Sequence, residues 1–266
     1  MVASGPIIAI AGGVASGVAN NGSLGFVDSG VSYFPKGASF DGVLDWLGEP
    51  SGVTTTATFA SLTSSESGAL SCWINSTGPL SGFMTFFDID STNNARFWNG
   101  MNTAGDAIGD FRGDMIGENL GTYDTSGVQI AGQGWNHLFV NFENGVSIDV
   151  WINGAEVVAT VPAAGGFQGN RPVRVGAKGS SITSLLGGSL SELWFNNAPL
   201  DPAANISKFY SGGRAVNLGV NGERVTGSTP ILYLPFSNAL NLGENFGSEV
   251  DLAVNGAPVQ VTGPNG

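Results

Sequence analysis

The stretch NHLFVNFENGVSIDVWINGAEVVATV, residues 136–161, decides the fold class. It contains three β-rich runs separated by two Asn-Gly pairs, Asn144-Gly145 and Asn153-Gly154. Asn-Gly between alternating apolar residues is the strongest short-range signal for a β-hairpin, because both turn residues must adopt positive φ. The passage therefore predicts three consecutive antiparallel strands in a meander.

The apolar residues of this meander predict its register. One face would carry only apolar side chains: Leu138, Val140, Phe142, Val146, Ile148, Val150 and Ile152. A three-residue loop, Glu143–Gly145, with the glycine left-handed in a bulge, keeps them together because it pairs Phe142 with Val146. At the second Asn-Gly pair, a two-residue turn pairs Ile152 with Ala155 and Val150 with Val157.

The opposite face of the meander is too aromatic for a merely solvated surface. In the predicted register, His137 lies opposite Trp151 and Phe139 opposite Asp149. Sugars stack on aromatic rings while amides and carboxylates bond their hydroxyls. The candidate glycan contacts are therefore His137, Phe139, Asn141, Asp149 and Trp151. Two alternatives stay open: the opposite sheet or the C-terminal tail covers this face, or the face is a subunit interface.

The composition of the whole chain agrees with an all-β fold. Of 266 residues, 42 are glycine, 42% are hydrophobic and only 11% are charged, against about 25% charged in an average domain. This composition predicts a folded, turn-rich protein and excludes collagen and a disordered chain. One short helix is expected, with Asp201 as its N-cap and Pro202 as its first residue. Further strands are predicted near residues 57–62, 69–75, 83–89, 173–176, 190–195 and 231–234.

Charge and cysteine content exclude several classes of partner and bond. With 21 acidic and 9 basic residues the net charge is −12, so we expect neither nucleic acid nor an anionic membrane as a partner, since both require clustered cations. Cys72 is the single cysteine, which rules out an internal disulfide, and its apolar surroundings predict a buried, inert thiol. Residues 1–30 lack a basic n-region and are interrupted by glycine and proline, which predicts an arm and not a targeting segment.

A series of motifs resembles the concanavalin A-like lectin/glucanase superfamily, in its laminin G-like or pentraxin-like form. The motifs are SFDGVLDWL (39–47), LSCWINSTG (70–78), GWNHLFVNF (134–142), VWING (150–154), VRVGA (173–177) and GGSLSELWFNNAPLD (187–201). The resemblance spans residues 31–266. It implies a two-sheet antiparallel jelly-roll sandwich, with residues 1–30 as an extended N-terminal arm outside it.

The C-terminal segment, residues 226–266, resembles the end that such domains carry in tailed-phage virion proteins. This implies a non-enzymatic structural protein of the virion, either a capsid decoration or a head fibre, assembled in the host cytoplasm. Its arm would bind the major capsid protein or another virion protein, and its outward domain would bind glycans. A homo-oligomer is expected, a trimer included. The alternatives are a tail-associated receptor-binding adhesin and a secreted carbohydrate-binding module or glycosidase.

The carboxylates do not match a glycosidase. That chemistry needs two carboxylates facing each other across the scissile bond, and the glucanase relatives carry Glu-x-Asp followed by another glutamate on one strand. The nearest candidates here are Asp88 with Asp90, and Asp149 alone, with no such glutamate. His137, the only histidine, occupies the Trp-x-His position whose role in the family is structural. We therefore expect no catalytic residues.

Calcium is the one cofactor that the sequence leaves open. This cation takes six to eight oxygen ligands from carboxylates, carbonyls and amides, and members of the superfamily often hold it. The candidate ligands are Asp88, Asp90 and Asn93, with Asn94 beside them. A second acidic group, Asp106, Asp110 and Asp114, lies in the next glycine-rich stretch.

Overall fold

A computed structural model describes residues 32–48, 67–76, 82–90, 96–112, 119–165, 173–178 and 182–266. The chain divides into two compact units, Met1–Tyr33 and Phe34–Gly266, and all the described strands and helices lie in the second. The predicted arm, residues 1–30, and the predicted strand near residues 57–62 lie outside the described residues.

The described secondary structure is almost entirely β. One α-helix, α1 (Pro202–Asn205), continues into a 3₁₀ turn, Ile206–Lys208. The strands, in chain order, are β1 (Lys36–Asp41), β2 (Trp46–Gly48), β3 (Ser67–Asn75), β4 (Met84–Asp90), β5 (Arg96–Met101), β6 (Asp106–Arg112), β7 (Asn119–Gln129), β8 (Asn136–Glu143), β9 (Ser147–Ile152), β10 (Ala155–Thr160), β11 (Val173–Val175), β12 (Gly187–Asn196), β13 (Tyr210–Ser211), β14 (Arg214–Ala215), β15 (Leu232–Leu234), β16 (Ala253–Asn255) and β17 (Val259–Thr262). Five of the predicted strands overlap β3, β4, β11, β12 and β15.

The strands form two antiparallel sheets that make a sandwich. Sheet A has the order β10-β9-β8-β3-β12-β1-β17, with β15 also paired to β12, and sheet B has the order β16-β2-β11-β4-β5-β6-β7. A separate hairpin joins β13 to β14. This arrangement confirms the predicted all-β jelly-roll sandwich with one short helix. No helix among the described residues is long and apolar enough to span a bilayer.

The main core lies between the two sheets, where their aromatic side chains meet. The rings of Phe111 on sheet B and Phe142 on sheet A stack with centroids 4.6 Å apart. Phe87 and Phe195 make a second contact between the sheets, with tilted rings and centroids 4.9 Å apart. Cys72 is buried in the same core, and burial raises the pKa of its thiol. The prediction of a buried thiol is thus confirmed.

The first turn of the meander differs from its prediction by one residue. Phe142 pairs with Ile148 rather than Val146, and the loop comprises residues 144–146, with Gly145 at φ +67°. Val146 lies at the loop tip and is 55% exposed. The predicted pairings of Phe142 with Val146, His137 with Trp151 and Phe139 with Asp149 are therefore wrong.

The shift has a physical reason in the long-range contacts of Asn144. Its side-chain Oδ1 accepts a hydrogen bond from the backbone N–H of Gly165 at 3.0 Å, and its Nδ2 donates to the carbonyl of the same residue. Its backbone N–H donates to Ser67 Oγ at 3.3 Å. These bonds hold Asn144 in the loop, so that Glu143 stays in the strand and pairs with Ser147.

The second turn and the helix follow the sequence more closely. Ile152 pairs with Ala155, as predicted, but Val150 pairs with Val158 instead of Val157, because a bulge follows Glu156 on β10. Bulges are frequent on edge strands, where they interrupt pairing. Asp201 caps α1 by accepting a hydrogen bond from Ala203 N–H at 3.0 Å, and this confirms the predicted cap.

The central strands of sheet A, β3, β8 and β12, are buried on both faces. Its outer face, away from sheet B, packs against the chain that follows α1. Phe209 lies 5.5 Å from Phe139 and 5.3 Å from Trp194, measured between ring centroids. The second cluster of buried apolar residues comprises Ala69, Phe139, Trp194, Phe209, Leu218, Val225 and Tyr233.

We expect Phe209→Ala to lower the free energy of unfolding by about 3–5 kcal/mol, because it opens a cavity between the outer face and its cover. Urea unfolding followed by tryptophan fluorescence measures this loss. Leu240→Ala is the control: Leu240 is 98% exposed, so its replacement changes stability by less than about 0.5 kcal/mol. A loss at Phe209 no larger than the control's would contradict the second cluster.

Candidate functional site

The residues predicted to contact a glycan lie on the covered outer face of sheet A. His137, Phe139 and Asn141 are buried there, whereas Asp149 and Trp151 are half-buried. A buried side chain cannot touch a ligand in solution, so the prediction is corrected for the first three. The face is covered by Phe209, Leu218 and Val225 together with Tyr233. Of these only Tyr233 lies in the C-terminal tail, so the predicted cover by the tail is right in part.

Asn141 and Asp149 have a structural task on this face. Asn141 Nδ2 donates to Asp149 Oδ2 at 3.1 Å, and Asn141 Oδ1 accepts from the backbone N–H of Leu200 at 2.8 Å. Ser147 Oγ donates to the same carboxylate oxygen at 2.7 Å. These bonds tie the meander to the start of the segment that covers it.

His137 lies within a stack of aromatic rings at the edge of this cover. Its centroid is 5.3 Å from Trp73 and 5.7 Å from Tyr210. Its Nε2 shares a hydrogen bond of 2.9 Å with Ser71 Oγ. Burial lowers the pKa of His137 to about 3, so the imidazole is neutral at physiological pH and supports the stack without charge.

A pocket of about 430 Å³ opens beside this aromatic stack. It combines three aromatic rings with four carboxamides, and no charged side chain lines it within the described part of the chain. The lining residues are Trp73, Gln129, Gln133, Trp135, Asn136, Asn153, Tyr210 and Gly213.

The loop before β8 places Gln133 at the rim of the pocket. Gly132 and Gly134, on either side of it, adopt left-handed conformations with φ of +71° and +76°, which L-residues with a side chain rarely take. The backbone N–H of Gly132 donates to the carbonyl of Ser76 at 2.8 Å. Gln133 is thereby exposed on an anchored loop.

Asn136 and Asn153 form a fixed pair of amides in the pocket wall. Asn153 Nδ2 donates to Asn136 Oδ1 at 2.8 Å, and Asn153 Oδ1 accepts from the backbone N–H of His137 at 2.9 Å. Asn136 Nδ2 donates to the carbonyl of Ile130 at 3.0 Å. Asn153 has φ +51°, a left-handed value that asparagine tolerates better than most residues.

Tyr210 contributes the aromatic wall formed by the covering segment. Its ring stacks on Trp73 at a centroid distance of 5.7 Å and an interplanar angle of 23°. Gly154 leaves room for it, since a Cβ there would lie 2.7 Å from Tyr210 Cδ1. The turn Asn153-Gly154 therefore supplies both an amide and the space for the ring.

Sequence reasoning did not assemble this pocket, although several of its residues lie in the motifs that indicated the fold. Trp73 belongs to LSCWINSTG and Trp135 to GWNHLFVNF. The glycines on either side of Gln133 were the available signal, because left-handed glycines flanking one polar residue present it to solvent. Tyr210 carried no such signal.

The calcium prediction falls only partly within the described residues. Asp88 is buried on β4, and Asn93, Asn94 and Asp114 lie outside the described residues. Asp106 accepts a hydrogen bond from Asn102 Nδ2 at 3.3 Å. Within the described ranges, no three His, Cys, Asp or Glu side chains lie close enough together to hold a metal ion. Calcium binding by Asp88, Asp90 and Asn93 stays a prediction.

We expect the free energy of unfolding of the wild-type protein to fall more steeply with decreasing pH than that of His137→Gln. The folded histidine stays neutral down to about pH 3, against an ordinary pKa of 6.5, whereas the unfolded state takes up its proton below that value. The contribution of the buried, neutral His137 to the free energy of unfolding is thus complete above pH 6.5. It is lost as the pH falls, by at most about 1.4 kcal/mol per pH unit.

Urea unfolding of both proteins between about pH 7.5 and 4.5 measures this difference, because all other titrating groups are shared. The free energies of unfolding should converge towards acid pH. Parallel pH profiles would contradict a buried neutral imidazole at this position.

Solved structures of other proteins share this sandwich. A provisionally assigned carbohydrate binding protein from Bacteroides ovatus aligns with a TM-score of 0.57 at 12% identity, over 86% of this chain and 60% of that one. The heptameric SAP-like pentraxin from Limulus polyphemus gives 0.53 at 12% identity, over 86% and 95%. The sialidase CBM40 from Ruminococcus gnavus, bound to α2,3 sialyllactose, gives 0.50 at 16% identity, over 64% and 96%.

At these identities the likeness is one of fold. The chain spans 60% of the length of the Bacteroides protein. No curated protein matches the chain in a sequence comparison. The profile of the Concanavalin A-like lectin/glucanases superfamily, in its laminin G form, matches residues 47–204, more than half of the chain and most of the sandwich. The chain therefore belongs to the concanavalin A-like lectin/glucanases superfamily.

Proposed function

We propose that this protein binds carbohydrate, without catalysis, in the pocket beside the aromatic stack. The observation that carries the proposal is the pocket's lining of three aromatic rings and four carboxamides. Aromatic faces pack against the apolar C–H face of a sugar ring, and carboxamides both donate to and accept from its hydroxyls. The carbohydrate-binding proteins that share the fold support the same class of ligand.

The walls of the pocket are largely arranged before any ligand arrives. Asn136 and Asn153 are held by hydrogen bonds to each other and to the backbone. Gln129 Nε2 donates to the carbonyl of Ala104 at 2.9 Å. Binding then orders few side chains, and this lowers the entropic cost of association.

The lining argues for binding rather than for hydrolysis. Glycoside hydrolysis needs two carboxyl groups placed across the scissile bond, and none of the described residues that line the pocket carries one. His137, the one histidine of the chain, is buried and already bonded to Ser71. The chemistry of the lining is that of a lectin-like module.

We expect Tyr210→Ala and Trp135→Ala each to weaken glycan binding by about tenfold, the effect of losing one aromatic contact of about 1.4 kcal/mol. A glycan array followed by titration calorimetry on the strongest hit measures it. Phe83→Ala is the matched control: Phe83 is an aromatic residue, 55% exposed and outside the pocket.

The control should bind like the wild type, and circular dichroism should show that all variants are folded. Equal losses in all three variants would place the binding elsewhere. Unchanged affinity in both pocket variants would overturn the proposed site.

We also propose that the domain is displayed on a tailed-phage particle as a capsid decoration or head fibre, and as a homo-oligomer. The support is the resemblance of residues 226–266 to virion proteins, together with the weakly charged composition and net charge of −12. That segment is part of the sandwich itself, since β15 and β17 pair within sheet A and β16 within sheet B. The alternatives are a tail-associated adhesin and a secreted module.

In this proposal, residues 1–30 attach the domain to the major capsid protein or another virion protein. We expect a chain lacking these residues to fold but to be absent from purified particles, because the sandwich alone would carry no attachment segment. Quantitative proteomics of particles measures copy number against the major capsid protein, with full-length Phe83→Ala as the control.

A high copy number for the full chain indicates the capsid surface, and a few copies per particle indicate the tail. Normal incorporation of the truncated chain would contradict the attachment role.

A further inference from the structure

We infer that the pocket selects uncharged glycans and excludes those whose bound sugar carries a carboxylate or sulfate. The inference rests on the proposed carbohydrate binding and names its ligand class. It follows from the polar side chains of the described lining, all of which are uncharged: the carboxamides of Gln129, Gln133, Asn136 and Asn153, with the Tyr210 hydroxyl and the indole N–H groups of Trp73 and Trp135.

Among the side chains that the structure describes, the cations that could recognise an anionic sugar are engaged or lie outside this lining. On sheet B, Arg174 lies over the ring of Trp46 at 5.1 Å. Lys178 lies over the ring of Trp98 at 4.4 Å. Lys208 Nζ donates to Asn205 Oδ1 at 2.8 Å, and also to the carbonyl of Val225.

The other basic side chains that the structure describes do not supply a cation either. Lys36, Arg214 and Arg224 are exposed, and none of them lines the pocket. Arg214 follows Gly213, a lining residue, in the β13–β14 hairpin, yet it is not among the lining residues itself. An anionic group in the pocket would therefore meet only neutral donors, without a counter-charge, among the described lining residues.

An uncompensated charge is costly in such a site. A carboxylate or sulfate that leaves water for a wall of rings and amides loses hydration, and neutral hydrogen bonds do not restore it. The net charge of −12 adds a repulsive field on approach. A neutral sugar meets neither penalty, because its hydroxyl or acetamido groups match carboxamides and its C–H face matches the rings.

The structural neighbour with a bound anionic sugar does not change this conclusion. The sialidase CBM40 from Ruminococcus gnavus holds sialyllactose, but at 16% identity it shares the fold alone. The ligand class of this pocket is inferred from its own side chains, and these favour an uncharged sugar over an anionic one.

The test compares matched glycans that differ only in charge. The full-length protein is applied to an array of neutral oligosaccharides printed beside their sialylated and sulfated derivatives. Calorimetry then follows one pair, such as lactose and 3′-sialyllactose or the strongest neutral hit and its derivative, with Tyr210→Ala locating the site. We expect the neutral member to bind at least about tenfold more tightly, with less than about a twofold change between roughly 0.05 and 0.5 M NaCl.

A charge introduced at the rim tests the stated cause. Gln133→Lys places an ammonium at the pocket, and we expect it to raise affinity for the sialylated member by about tenfold, as one partly shielded ion pair would. Thr229→Lys is the control, since it makes the same change of net charge at an exposed residue outside the lining. An equal gain in both variants would assign the effect to net charge and overturn the role of the lining.

The remaining outcomes separate this inference from the proposed function. If the sialylated member binds the wild type as well as the neutral one, and Tyr210→Ala abolishes both, carbohydrate binding stands and neutral selectivity is overturned. If the wild type binds no glycan on the array, both are overturned.

Discussion

The structure depends on covering the outer face of sheet A. Strands β3, β8 and β12 carry apolar side chains on both faces, so that Phe139 and Trp194 would stand in water if sheet B packed against one side alone. The chain after α1 returns across this face and inserts Phe209 between them. Exposing such rings costs about 2–3 kcal/mol each, so the covering segment is as necessary to the fold as the second sheet.

The candidate site is a consequence of that cover. Tyr210 follows Phe209 directly, so the residue that closes the second cluster also brings an aromatic ring against Trp73 at the edge of the sheet. His137 lies beneath both and contacts Phe209 and Tyr210 with its ring. Burial keeps this imidazole neutral. It therefore packs between the second cluster and the pocket without introducing a charge. The same residues therefore contribute both to the stability of the fold and to the shape of the pocket.

The sequence specified the local structure well and the long-range structure poorly. Asn153-Gly154 was sufficient to predict the pair Ile152–Ala155, because a two-residue turn fixes its own register. The loop at Asn144 was placed one residue too early, because the bonds that hold it come from Gly165 and Ser67, far along the chain. The alternation of apolar and polar residues likewise predicted which side chains share a face of the meander. It could not show that Phe209 covers one of these faces. The pocket was missed for the same reason, since Trp73, Trp135 and Tyr210 meet only in the folded chain.

The scarcity of charge connects the fold to the ligand class. With 11% charged residues, the chain has few groups that form ion pairs, and carboxamides bond the backbone at several described turns. Asn245 accepts from the backbone N–H groups of Tyr233 and Gly247 and donates to the carbonyls of Ile231 and Glu249. Asn144 and Asn153 make hydrogen bonds of the same kind at two turns. Neutral hydrogen bonds of this kind respond little to salt or pH. We expect a pocket lined by such side chains to bind its ligand with little dependence on salt or pH. An uncharged sugar preserves this insensitivity, because it brings no charge of its own.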